Sequence, residues 1–200
     1  MNMKKILSIA AALLFAVTLS AQTKGLEANF TLTKTTAAKA AAETSKGKIY
    51  YAEPGSLALH YAAPSENLMV ISGNAVYSRQ GDKERRFDTT KNAPMRSMAA
   101  TLINCVKGET QKVADENDAD ITVKDFARTK DVTITARKKA ARGYSQIKLS
   151  YSRADGNLIY MKLTEFGGTV SEYKMTGFRS GVTLPKDAFT IPAKVKKEAE

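Results

Sequence analysis

The chain has 200 residues, a formal charge of +11, one cysteine and one histidine. That length suits one domain with its own core. The lone Cys105 excludes an internal disulfide framework, and no Cys/His cluster with metal spacing is present to hold zinc.

The first residues read as an export address. Lys4 and Lys5 precede an apolar run from Ile6 to Leu19, and Ser20-Ala21 supplies small residues for cleavage before Gln22. The run is short of the ~20 apolar residues that a membrane span needs. Residues 1–21 are therefore expected to be a signal peptide, and 22–200 a single domain outside the cytoplasm with a frayed charged tail from about residue 194. Losing Lys4 and Lys5 lowers the charge by two and leaves a basic chain. Such an exported chain points to anionic membranes or acidic proteins as partners rather than nucleic acid.

Beyond the leader the period is mostly that of strands. Leu26, Ala28, Phe30 and Leu32 alternate with polar neighbours. Ala37 to Glu43 is alanine-rich and reads equally as helix or hairpin. From Gly47 to Gly73, apolar alternation punctuated by Pro54-Gly55 and Pro64 predicts three strands, with Leu57, Leu59 and Tyr61 on one face and His60 on the other. Asn92 to Val106 is an amphipathic helix: Pro94 suits its first turn, Met95, Met98, Leu102, Ile103 and Val106 share a face, and Gly108 stops it. This helix is either ordinary core on the sheet or a cover over an apolar groove.

Asp115, Glu116, Asp118 and Asp120 read as a solvated acidic loop, lacking the pattern of a calcium loop. Short β-branched runs at Ile121-Thr122-Val123 and at Val132-Thr133-Ile134-Thr135 follow. Ile147, Leu149 and Tyr151, then Ile159, Met161 and Leu163, flank the tight turn Asp155-Gly156-Asn157, and Tyr173, Met175 and Phe178 continue the sheet after Gly167-Gly168. Strands joined by short turns predict an antiparallel meander with one dry face.

Catalytic signatures are missing: there is no Gly-x-Ser-x-Gly elbow and no phosphate-binding glycine loop. His60 reads as a packing or surface histidine, and Cys105 as a buried apolar filler. Between Lys124 and Arg142, Lys124, Arg128, Lys130, Arg137, Lys138, Lys139 and Arg142 face only Asp125 and Asp131, which makes either a solvated hairpin or a docking patch. Met69, Met95, Met98, Met161 and Met175 all fall inside strand or helix patterns, where flexible thioethers suit either a core or an adaptable apolar surface.

The order Gly47-Lys48-Ile49-Tyr50-Tyr51, Pro54-Gly55, Leu57-Ala58-Leu59-His60-Tyr61, Pro64 and Leu68-Met69-Val70-Ile71-Ser72-Gly73 resembles the start of the LolA family of periplasmic lipoprotein carriers. Phe87-Asp88 before the helix, Asp155-Gly156 before an apolar strand, and Leu184-Pro185-Lys186-Asp187-Ala188-Phe189-Thr190-Ile191-Pro192 extend the resemblance over nearly all of the chain after the leader. It implies an incomplete, open antiparallel β-barrel with an α-helical lid. It also implies a non-enzymatic monomer without cofactor or metal, located in the periplasm. Its partners would be acylated lipoproteins, an inner-membrane Lol ABC transporter and an outer-membrane acceptor.

On this reading the apolar contacts for acyl chains are Leu57, Leu59, Tyr61, Ile159, Met161 and Leu163 on the sheet and Met95, Met98 and Leu102 on the lid. The family's latch positions, commonly basic, are occupied here by Glu53 and Ala58, so the resemblance implies an altered latch. The alternatives are an envelope interaction module that uses its basic face, or a handler of glycolipids.

Overall fold

The structure, a computed structural model, describes residues 23–193. The expected leader and the tail from 194 lie outside the described residues. Six strands come first: β1 (Lys24–Thr36), β2 (Lys39–Ala52), β3 (Ser56–Tyr61), β4 (Leu68–Ser72), β5 (Ala75–Gln80) and β6 (Lys83–Asp88). Two helices follow, α1 (Ala93–Lys107) and α2 (Thr110–Glu116). Five strands complete the chain: β7 (Ala119–Asp125), β8 (Thr129–Ala136), β9 (Tyr144–Ser152), β10 (Leu158–Glu165) and β11 (Val170–Thr183).

All eleven strands form one antiparallel sheet in the order β6-β5-β4-β3-β2-β1-β11-β10-β9-β8-β7. Each half is a meander of sequence neighbours, and the long β1–β11 pairing, from Lys24↔Thr183 to Thr35↔Val170, joins the halves. The sheet is open, since β6 and β7 are its edges and the chain passes from one to the other through α1 and α2. Leu57, Ile71 and Val76 from one half, Val132 and Ile134 from the other, and Leu102, Cys105 and Val113 from the helices belong to one buried cluster. The sheet therefore curls around the two helices without closing, the incomplete, open barrel that the resemblance implies.

Several local readings resolve in physical terms. Ala37 to Glu43 is hairpin: Lys34↔Glu43 and Thr36↔Lys39 pair across β1 and β2, so a threonine-rich partner strand overrides alanine's helix preference. The acidic stretch is not a plain loop. Asp115 and Glu116 end α2, Asp118 sits in a turn, and Asp120 lies on β7. With only Val113 and Ala114 buried, the seven-residue α2 is too short to announce itself by period. In β10 a register shift between Leu158 and Tyr160 reverses the alternation, so Leu158, Met161 and Leu163 face the core while Ile159 falls outside it.

The outer face carries a second, smaller cluster. Residues 184–191 run irregularly across it, packing Leu184 and Ala188 on Tyr50, Ala58, Val70 and Tyr77. His60 is indeed a packing residue there: its Nε2 lies 2.9 Å from the Ala188 carbonyl, and its ring meets Tyr50 edge-on at 5.0 Å. No helix among the described residues is long and apolar enough to cross a membrane.

Candidate functional site

The site is the inner face of the sheet with α1 seated in it. The start of α1 is fixed by Asn92, whose side chain accepts the Met95 amide hydrogen at 3.1 Å, and by Pro94, which needs no amide partner there. At its end Gly108 takes a left-handed φ of 75° and donates to the Cys105 carbonyl. Ala99, Thr101, Leu102 and Cys105 are buried, with Met98, Ile103 and Val106 packed at the margin. Met95 is half-buried and lies outside that cluster.

Leu57, Leu59, Met161 and Leu163 of the sheet are buried in the same cluster as the α1 side chains. Tyr61 packs half-buried beside them, its ring 5.1 Å from Phe30 and nearly perpendicular. Burial pushes the phenols of Tyr61, Tyr144 and Tyr173 up. Polar contacts on α1 are few. Tyr151 of β9 donates its hydroxyl to the Cys105 carbonyl at 2.7 Å, and Asn117, just after α2, donates to the Thr101 hydroxyl at 3.1 Å. Burial drives the Cys105 thiol up to about 12, as expected for an inert core filler.

A cavity of ≈ 80 Å³ opens at the C-terminal end of α1, lined by Leu26, Ile49, Val106, Leu158, Met175 and Phe178 and bordered by the Asp155–Asn157 turn. None of the sheet and lid positions singled out in the sequence lines it. Phe178 reaches it through the β1–β11 irregularity at Glu27/Asn29, where Gly177 adopts φ 66° and a side chain would press Asn29. The strands that carry Leu26, Met175 and Phe178 were visible in the sequence, but the bulge that turns Phe178 inward was not.

Glu53 and Ala58, where the resemblance implies an altered latch, fall on different sides of the sheet. Glu53 is exposed in the β2–β3 turn, which borders α1: a side chain at Gly55 would stand 3.6 Å from Ile103. Ala58 points the other way, fully buried under the 184–191 segment, because it alternates with Leu57 and Leu59. A side chain there cannot reach α1.

The family described as outer membrane lipoprotein carrier protein LolA matches residues 21–192. The chain belongs to the LolA family. No curated protein matches it. Among solved structures, an uncharacterized conserved protein from Thermus thermophilus is similar at 10% identity and TM-score 0.50, covering 86% of this chain and 88% of that one. A LolA superfamily protein from Nitrosomonas europaea is similar at 9% identity and TM-score 0.38, with 84% and 91% covered. The Pseudomonas aeruginosa MucA/MucB complex matches at 11% identity and TM-score 0.47, with 85% and 56% covered. This LolA-like fold is that of a family of lipid- or lipoprotein-binding carriers.

Proposed function

We propose that this protein is a periplasmic, non-enzymatic carrier that takes the acyl chains of lipoproteins from an inner-membrane Lol ABC transporter to an outer-membrane acceptor. The observation that carries this reading is α1 itself, an amphipathic helix packed in one buried apolar cluster with the inner face of the sheet, beside a cavity of ≈ 80 Å³. That volume holds about three waters, so an acyl chain enters only as α1 lifts. Binding and closure then compete for Leu57, Leu59, Met161 and Leu163. Each methylene removed from water contributes ~0.8 kcal/mol and each large side chain buried by α1 about 1.5–3 kcal/mol, so roughly ten methylenes offset the seating of the helix.

Release follows from the same balance. A helix held to the sheet by apolar contact and the Tyr151–Cys105 hydrogen bond, without a basic latch at residue 53 or 58, returns to its wall when an acceptor draws the chain away. In the test, the purified chain is incubated with membranes bearing a radiolabelled lipoprotein and energised transporter, and the soluble fraction is assayed. A soluble complex supports the reading, and its absence rejects it. Mass spectrometry of co-purifying lipids then separates lipoprotein cargo from a glycolipid.

A further inference from the structure

Only two large apolar side chains among the described residues are exposed, Val123 and Phe126, 45% and 52% accessible. Both lie at one end of the edge hairpin β7–β8, Phe126 in the turn itself. The turn is firmly built: the Phe126 amide donates to the Thr129 carbonyl at 2.8 Å, and the Arg153 amide to the Arg128 carbonyl at 3.0 Å. Phe126 is thus held out in solvent by a fixed backbone.

The charges around it are not those of the whole basic run. The hairpin splits that run between its two ends. Arg137, Lys138, Lys139 and Arg142 follow β8 at the far end, where Arg137 is taken up by Asp120 at 2.7 Å and Asp118 at 3.1 Å. Lys124, Arg128 and Lys130 remain at the Phe126 end, all exposed. Opposing them are half-buried Asp131 and exposed Asp125, and Arg153 already holds Asp125 at 2.7 Å.

Two of these residues, Asp125 and Lys130, also line a hollow of ≈ 360 Å³ with Gly108, Tyr151 and Gly156. Gly156 is shared with the apolar cavity beside α1. An exposed aromatic in a turn with exposed cations on both faces of its hairpin matches the interface of an anionic bilayer, where the ring enters the headgroup boundary and the cations meet phosphates. We propose that the β7–β8 tip docks the protein on an anionic phospholipid bilayer, Phe126 entering the headgroup layer and Lys124, Arg128 and Lys130 meeting the lipid phosphates. Docking in this way turns the mouth of the apolar cavity toward the lipid.

The chain contains no tryptophan, so Phe126→Trp gives a single reporter. It is mixed with phosphatidylglycerol-containing vesicles and with neutral phosphatidylcholine vesicles. Every variant is compared with a wild type of the same N-terminus, so that any contribution of the leader is common to both. A blue-shifted emission on anionic vesicles only, weakened by salt, is expected. Co-sedimentation should fall about five-fold for Phe126→Ser and by about thirty-fold or more for Lys124→Glu with Arg128→Glu, consistent with the apolar and per-charge contributions to surface binding. Lys138→Glu with Lys139→Glu should leave it unchanged. Emission unmoved by anionic vesicles, equal binding of Phe126→Ser, or loss with the Lys138/Lys139 pair overturns the proposal. Vesicle binding is read without cargo, so this test can fail while a soluble lipoprotein complex still forms, and the reverse.

Discussion

Tyr151 and Cys105 are joined across the sheet–helix boundary, the phenol of β9 donating to a backbone carbonyl in the last turn of α1 at 2.7 Å. Tyr151→Phe removes that bond while the Cys105 carbonyl keeps the Gly108 amide at 3.2 Å. A net loss of about 1 kcal/mol follows, or about five-fold in the population of lifted helix. Because Cys105 is the only thiol and fully buried on the seated face of α1, its labelling by a thiol reagent counts lifting events. Labelling about five-fold faster in Tyr151→Phe is expected. An unchanged rate would show that the bond does not hold the helix down.

The same thiol sets an alkaline limit. Burial raises Cys105 from 9.0 to about 12, so its contribution to stability is complete below pH 9 and is lost as pH rises from 9 toward 12. At pH 10 the unfolded chain gains about 1.4 kcal/mol from ionising this group alone. The phenols of Tyr61, Tyr144, Tyr151 and Tyr173, also raised by burial, add to the fall above pH 10. Urea melts between pH 8 and 11 should show Cys105→Ala beginning its decline about one pH unit later than wild type. Coincident onsets would refute the assignment.

Whatever depends on period was legible in the sequence: the strand meander, α1 with its Asn92–Gly108 limits, and the core positions Leu57, Leu59, Met161 and Leu163. What depends on a break in period was not. The irregularity beside Leu158 removes Ile159 from the core face, and the Gly177 bulge brings Phe178 to the cavity. Alternation counted along one strand cannot see an extra residue, because only the partner strand reveals it. Likewise the basic run appeared continuous along the chain and became two separate ends once β7 and β8 paired.

Ala58 offers a test of which side of the sheet its position faces. It lies fully buried beneath Leu184 and Ala188, so Ala58→Arg places a guanidinium in an apolar cluster and should destabilise by several kcal/mol. Glu53→Arg, on an exposed turn beside α1, should leave stability within about 0.5 kcal/mol. Denaturant midpoints decide, and an Ala58→Arg chain as stable as wild type would mean that the 184–191 segment does not cover that face in solution.

Glu27 governs the acid side. It is a buried carboxylate on β1 that accepts hydrogen bonds from Lys48 of β2 and Arg179 of β11, tying β1 to the strands on either side of it. The Lys48 hydrogen bond, opposed by burial and reinforced by Arg179, holds its carboxyl below 4.5. A depressed folded value means stability that is present above the unfolded value and lost as pH falls through the folded one. Wild type should therefore weaken below about pH 4.5. Glu27→Gln should be less stable at pH 7 yet show a shallower decline on acidification, because it has no proton to take up at this position. Parallel pH profiles for the two chains, followed by denaturant unfolding, would show that the Lys48–Glu27–Arg179 bridge does not form in solution.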